Sequence, residues 1–302
     1  MFKISNRALR FASHAGSVLL ISWAVSSPAR AVESATCREL ERRFDQFRGD
    51  IGPIHLNSTL FSAADTGCEG LARKLLAAGA SFAARDGIGT MPLAHAALAG
   101  QRALVELFLA AGADIDARNI SGSTALYLAA EGERPATVAL LLAKGASPDL
   151  SGRSGLTPLA AAALKGNDRI AEELLSHRAD PNIPDEAGRT AIAHAAVHGF
   201  ADIVRRLLDT GVDVNGRFPN NVTALMWATA YEDGVGIRAA EDVVDLLLNA
   251  GADINAADDR GRTALIMATQ LGHAEMVEML IRRGADRDVR DKDVLERDTN
   301  QP

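Results

Sequence analysis

A short pattern recurs in this 302-residue chain every 33 residues. A glycine opens each copy, and an aliphatic residue follows it four positions later. An Ala-Ala pair comes three residues after that, and a pair of large apolar residues follows twelve residues further on. A unit of this length buries its apolar face only by stacking on its neighbours, so the period predicts a solenoid rather than a single globular core. The opening segments are Gly89–Leu93, Gly122–Leu126, Gly155–Leu159 and Gly188–Ile192.

The same pattern extends in both directions from these four copies. Moving back 33 residues from Gly89 reaches Leu56, and Ala63 and Ala64 then lie in register. Moving forward, Asn221 replaces the opening glycine, and Gly261 opens a last copy 40 residues later. The sequence therefore predicts seven repeats, with the bounds 56–88, 89–121, 122–154, 155–187, 188–220, 221–260 and 261–293.

Together with turns such as Gly112-Ala113-Asp114, these segments resemble the ankyrin repeat family, whose signature reads Thr-Pro-Leu-His-x-Ala. The resemblance implies an all-α fold, a solenoid of helix-turn-helix repeats with short β-turn fingers. It also implies that the concave groove formed by turn tips and first helices binds a partner protein. The position of the signature His is taken by other residues: Ala94, Tyr127, Ala160 and Ala193.

Three departures from the repeat carry local predictions. Arg178 stands where a helix-ending glycine is expected, which predicts a strained, left-handed backbone at that residue. In the third repeat the glycine between the helices is shifted to Gly132, and Pro135 is expected at the start of the second helix. The sixth repeat carries seven extra residues within 231–240, which we expect to form a loop.

The N-terminus has the layout of a secretory signal peptide over residues 1–31. Basic residues precede an apolar run, Ala15–Val25, and Ala29-Arg30-Ala31 gives a small-x-small cleavage pattern. Eleven residues are too few to cross a hydrocarbon core of about 30 Å, which disfavours a membrane anchor. The sequence thus predicts a periplasmic or secreted protein with no membrane insertion, an N-terminal capping helix within 32–55 and a polar tail at 294–302.

The charge of the chain argues against nucleic-acid binding. The whole sequence has 32 basic and 39 acidic residues, and the predicted leader contains four of the basic ones and no acidic ones. The mature chain would then carry 28 basic and 39 acidic residues, a net charge of −11. Such a surface repels a phosphate backbone, and aromatic residues at 4% offer few stacking platforms for single strands. A neutral or basic protein partner is favoured, bound by a monomeric scaffold.

Cys37 and Cys68 are the two cysteines of the chain. In an oxidising compartment a single pair is expected to form a disulfide, here between the capping helix and the turn between the helices of the first repeat.

No residue pattern supports catalysis, a metal or a cofactor. His194 and His198 are four residues apart on one predicted helix, but no cysteine or acidic residue at ligand spacing accompanies them. We expect no catalytic residue, no metal site and no cofactor. We expect His194 to lie beside the core and His198 to face the groove.

The partner-binding surface is predicted from apolar and cationic residues at groove and turn-tip positions, with Tyr231 at its centre. The function expected is a non-enzymatic protein-protein interaction scaffold exported from the cytoplasm. An alternative that the sequence leaves open is a secreted effector that imitates host ankyrin surfaces. The predicted contact residues are Leu98, Leu164, Arg189, Val197, His198, Tyr231, Arg262 and Leu271.

Overall fold

The computed structural model describes residues 34–47, 52–231 and 234–288 of the chain. These residues form α-helices, turns and two short 3-10 segments, without a β-strand in the described ranges. The predicted all-α solenoid is therefore confirmed. The predicted signal peptide, 1–31, and the polar tail, 294–302, lie outside the described residues.

The helices alternate along the chain between two parallel layers. One layer holds the first helix of each repeat: α2 (Pro53–Thr66), α4 (Pro92–Ala99), α6 (Ala125–Glu131), α8 (Pro158–Lys165), α10 (Ala191–Val197), α12 (Ala224–Thr229) and α14 (Ala264–Leu271). The other layer holds the second helices: α3 (Glu69–Ala77), α5 (Arg102–Ala110), α7 (Pro135–Ala143), α9 (Asp168–Ser176), α11 (Ala201–Asp209), α13 (Ile237–Asn249) and α15 (Ala274–Arg282). Each helix packs on its counterparts in the adjacent repeats. The apolar core is consequently continuous along the stack.

The repeat motif accounts for this packing residue by residue. The Ala-Ala pairs of repeats 2 to 5 are all fully buried, so neighbouring first helices approach with only methyl groups between them. Thr124 and Thr157 cap their helices by accepting backbone N–H bonds from Tyr127 and Ala160. Thr190 makes no such bond, so its helix begins without a side-chain cap.

The N-terminal end of the stack is covered by α1 (Ala35–Phe47), whose Phe44 is buried and whose Leu40 packs against the core. α2 begins at Pro53, two residues before the predicted end of the capping segment at 55. The boundary therefore needs correcting, because the first helix of repeat 1 is a 14-residue helix that starts within 32–55.

The insertion of repeat 6 is also shaped differently from the predicted loop. α13 has 13 residues where the other second helices have nine, so part of the insertion lengthens this helix at its N-terminus. Val235 then folds back onto repeat 5, where its side chain lies close to Gly199.

The shifted glycine of repeat 3 does not take the left-handed turn. Glu133 has φ +55°, whereas Gly132 has φ −78°. Gly132 is required for another reason, because a Cβ there would lie 2.7 Å from the carbonyl oxygen of Leu98 in the preceding repeat. Glu133 is therefore the left-handed residue of this turn, and Gly132 serves the contact between repeats.

Arg178 has φ +63°, as predicted. At the equivalent turn the other six repeats have glycine, with φ between +86° and +100°. A side chain in this region crowds its own backbone, and glycine removes that crowding.

We expect Arg178→Gly to raise the free energy of unfolding by about 1 kcal/mol, as for other left-handed positions given a glycine. Urea unfolding followed by circular dichroism measures it. Arg178→Ala retains a Cβ at the same φ and is the matched control that should bring no comparable gain. An unchanged midpoint for the glycine variant would show that the turn is not strained.

The structure contains the predicted disulfide between Cys37 and Cys68, both buried. It joins α1 to the start of α3, and the ion pair of Glu41 with Lys74 links the same two helices. The cross-link closes a loop with a sequence separation of 31 residues. The cap is thus covalently attached to the repeat that it covers.

Replacing both cysteines by serine should lower the free energy of unfolding by about 3 kcal/mol, on the chain-entropy model for a loop of this size. Hydrogen exchange should show the loss of protection first in the capping helix α1 and in α2, because these helices depend most on the cap being held in place. The companion measurement is thiol labelling of wild-type protein purified without reductant. Two free thiols in that sample would refute the disulfide.

Candidate functional site

Between successive repeats the chain forms a five-residue turn finger, closed by a backbone bond from its first N–H to its last carbonyl oxygen. In four of the six fingers the first residue is Asp or Asn, whose Oδ1 accepts two further backbone N–H groups. These carboxylate or amide groups fix the finger from inside. The fingers are 86–90, 119–123, 152–156, 185–189, 218–222 and 258–262.

The fingers of repeats 4 and 6 begin with Gly152 and Phe218, which lack such an oxygen. Both tips form a 3-10 turn with non-glycine residues at positive φ, Ser154 at +56° and Asn220 at +62°. The tip shape therefore follows the chemistry of the first residue.

Arginines tie successive fingers together. Arg85 donates to the carbonyl oxygens of Gly89 and Arg118, and Arg118 donates in the same way to Gly122 and Ser151. The fingers thus form a fixed row, which together with the first helices presents one face of the solenoid.

The eight predicted contact residues all lie in this row or on first helices and the turns that follow them, but their exposure differs. Leu98 is 40% exposed and Leu271 is 53% exposed, whereas Leu164, His198 and Tyr231 are partly buried. Val197 is 8% exposed, so its inclusion needs correcting: it offers little contact surface.

Arg189 and Arg262 are engaged within their own fingers. Arg189 Nε lies 3.3 Å from Asp185 Oδ2, and Arg262 Nε donates to Asp258 Oδ2 at 2.8 Å. Each guanidinium retains some exposure, 38% and 25% of the side chain. They are therefore positioned by the finger before any partner arrives.

Sequence reasoning missed Ile120, which is 78% exposed. Ile120 lies in the finger after the one that contains Ile88. Its backbone N–H donates to the carbonyl oxygen of Ile88 at 3.0 Å. Ile88 is itself 60% exposed. The available signal was an apolar residue within the five-residue finger, one position earlier in the repeat than Ile88.

Tyr231 does not stand free above the groove. Its ring stacks on His273 with the centroids 4.0 Å apart, and the imidazole Nδ1 is 3.0 Å from the carbonyl oxygen of Thr229. Burial, with the negative charges of Glu275 and Glu241, raises the pKa of the Tyr231 hydroxyl. Tyr231 therefore forms part of the packing between repeats 6 and 7.

Two histidines occupy one repeat position and pair with the first residue of their finger. His95 Nε2 is 3.0 Å from Asp86 Oδ2, and His194 Nε2 is 3.0 Å from Asp185 Oδ2. Burial alone would raise the pKa of Asp86, but hydrogen bonds from the Thr90 N–H, His95 and the Ile88 N–H outweigh it and lower that pKa. No group of His, Cys, Asp and Glu in the described ranges is arranged to hold a metal ion.

In the finger 152–156 the missing carboxylate is explained by a residue on the first helix of repeat 3. Tyr127 is 1% exposed, and its ring lies where a Cβ on Gly152 would be, only 2.5 Å away. Burial, followed by the charge of Glu131, raises the pKa of the Tyr127 hydroxyl. Gly152 and Tyr127 thus form one steric unit that joins the finger to this helix.

We expect Gly152→Asp to lower the free energy of unfolding by about 1–3 kcal/mol, because the added Cβ overlaps the Tyr127 ring. The double variant with Tyr127→Leu should recover part of that loss. Urea unfolding of the two single variants and the double variant measures the coupling. Strictly additive losses would mean that the two residues do not compete for space.

A family model described as ankyrin repeats (3 copies) matches residues 60–152, 93–185, 159–258 and 235–293. No curated protein matches the sequence. Among the described residues, no helix has both the length and the apolar character needed to cross a bilayer. Ankyrin repeats generally mediate protein-protein interaction and are typically not enzymes. Since the matches extend over most of the sequence and the structure has the same helix-pair repeat, the chain belongs to the ankyrin repeat family.

Proposed function

We propose that this protein is a non-enzymatic scaffold that binds a partner protein outside the cytoplasm. Its contact surface, called here the binding face, consists of the turn fingers and the exposed side of the first helices. The observation that carries the proposal is the distribution of exposed apolar side chains. The large apolar residues that are most exposed in the described ranges all lie in fingers or first helices: Ile54, Ile88, Leu98, Ile120 and Leu271.

The second helices are different, since their large apolar side chains are buried or partly buried. Scattered exposed apolar residues are common on any protein, but their restriction to one face is a feature of interaction surfaces. Ile88 and Ile120 form a pair at adjacent finger tips, held together by a backbone hydrogen bond. This rigid pair would lose little conformational freedom on binding.

The double variant Ile88→Asp with Ile120→Asp should weaken partner capture by roughly tenfold or more, because it places two charges in the core of the interface. A tenfold loss of affinity corresponds to about 1.4 kcal/mol of binding free energy. Ala103→Asp, on the exposed side of α5, is the matched control for an added acid on the second-helix face. Quantitative pull-down from periplasmic extract compares the three baits. Equal recovery of the same proteins by all three would place the contact elsewhere.

Tyr231 is a second candidate for the centre of the contact, at the other end of the binding face. Tyr231→Ala should weaken capture by about 1 kcal/mol or more if the ring is an anchor. Because the ring also stacks on His273, the variant's melting midpoint must be measured with its binding. A loss of stability without a loss of capture would leave Tyr231 a packing residue.

The buried disulfide supports an oxidising compartment, since such bonds persist mainly outside the reducing cytoplasm. Together with the leader-like sequence of 1–31, it favours the periplasm or secretion. Cell fractionation distinguishes the two proposals: retention in the periplasm supports the scaffold, whereas delivery into a host cell supports the effector alternative.

A further inference from the structure

His194 is buried in the first-helix layer with one ring nitrogen unpartnered. The residue is 2% exposed, and its Nε2 lies 3.0 Å from Asp185 Oδ2. Its Nδ1 is buried, and no atom of the described residues forms a hydrogen bond with it. Burial disfavours the charged form of an imidazole, and a second N–H without an acceptor adds to the cost of protonating it.

The contacts of Asp185 assign the proton of the neutral ring. Asp185 Oδ1 accepts the backbone N–H groups of Ala187 and Arg189, at 2.9 and 2.8 Å. Its Oδ2 faces Arg189 Nε at 3.3 Å. A carboxylate with these donors is held ionised, so His194 Nε2 carries its hydrogen and donates it to Oδ2. A second proton must therefore bind at Nδ1.

Protonated Nδ1 would be a buried donor with no acceptor. The same layer already holds such a donor, because Trp227 Nε1 is buried without a hydrogen-bond partner in the described structure. Trp227 occupies the position of His194 in the next repeat, 33 residues on, and α12 packs directly on α10. Two ring nitrogens on adjacent first helices are thus buried without a hydrogen-bond partner in the described structure.

The charged groups around α10 are of both signs, so Asp185 is opposed by nearby cations. Besides Asp185, the ring experiences the charges of Arg189 and His198. The packed first helices contribute Lys165 at the end of α8 and no titratable group within α12. The packed second helices carry acids together with arginines: Asp202, Arg205, Arg206 and Asp209 on α11, and Arg238, Glu241, Asp242 and Asp245 on α13.

His95 provides an internal comparison, since it occupies the same repeat position in repeat 2. Its Nε2 meets Asp86 Oδ2 at 3.0 Å, as His194 meets Asp185, but its Nδ1 also meets Asp65 Oδ1 at 2.8 Å. A proton on either nitrogen of His95 therefore finds a carboxylate. Thr90 stands where repeat 5 has Arg189, so no cation occupies that position in repeat 2.

We propose that His194 is a proton-sensitive joint in the solenoid: acidification charges Nδ1 in a site that has no acceptor and loosens the packing of α10 on α12. The repeats on the N-terminal side, including the one that contains His95, remain folded. The inference does not depend on any partner.

The electrostatics give the direction of the pH dependence. Burial, and then the charge of Arg189, lowers the pKa of His194 below 6.5. Because the unfolded chain then takes up the proton first as the pH falls, stability is full above about pH 6.5 and decreases below it. The pKa of Asp185 is also lowered: burial opposes this, but its hydrogen bonds outweigh burial, so it stays ionised in this range.

The experiment is hydrogen exchange on the full chain at pH 7.5 and pH 5.5, corrected for intrinsic exchange rates. We expect wild type to lose protection at pH 5.5 in α10 and α12 but not in α4, with a melting midpoint lower by about 2–4 °C. His194→Gln cannot be protonated and should lose this pH difference. His95→Gln is the matched control and should retain it.

A third variant keeps the test decisive if His194→Gln does not fold. Arg189→Thr places at this surface position the residue that repeat 2 has there, Thr90, and removes the nearest cation. The loss of protection in α10 and α12 between the two pH values should therefore be smaller in this variant than in wild type. Equal protection of α10 and α12 at both pH values in wild type would overturn the proposal. So would a loss spread evenly over all first helices, or an equal loss in His194→Gln.

Discussion

The close packing of neighbouring first helices is the contact on which the rest of this solenoid depends. Alanine pairs make that contact, and in repeats 2 to 5 every member is fully buried. With only a methyl group on each side, the helices approach closely enough to exclude water, and the larger residues of the second helices fill the remaining seam. Each repeat then contacts only its neighbours, so stability is close to a sum of single-repeat and nearest-neighbour terms.

This one-dimensional arrangement explains why so much of the fold could be predicted from the sequence. Period, helix order and the left-handed backbone at Arg178 each depend on residues within one repeat, and these predictions are confirmed. What the sequence did not reveal concerns contacts between repeats, or the lengths of helices that no repeated residue marks. The carbonyl oxygen of Leu98 in the preceding repeat leaves no room for a Cβ at Gly132, and Val197 is only 8% exposed. A single-repeat pattern contains neither fact.

The candidate site was predicted less completely for the same reason. A position in the repeat identifies which residues lie near the face, and Leu98 and Leu271, chosen from their positions, are exposed. It does not say which tip side chains are already engaged, as Arg262 is with Asp258. Nor does it reveal that the Tyr127 ring of one repeat excludes a side chain at Gly152 in the next finger. Side-chain identity in a finger is thus decided partly by the first helix that packs against it.

Position along the stack also determines what a local defect can do. A defect at the N-terminal end would disturb one interface, and there the disulfide joins α1 to α3 and limits fraying. A defect in α10 disturbs two interfaces at once, because this helix packs on both α8 and α12. His194 lies on that helix, with one nitrogen unpartnered. In a nearest-neighbour solenoid, charging this ring would uncouple repeats 6 and 7 from repeats 1 to 3, which lie beyond the repeat adjacent to it. The same chemistry at His95 has no such consequence, since Asp65 of the preceding repeat supplies the second acceptor.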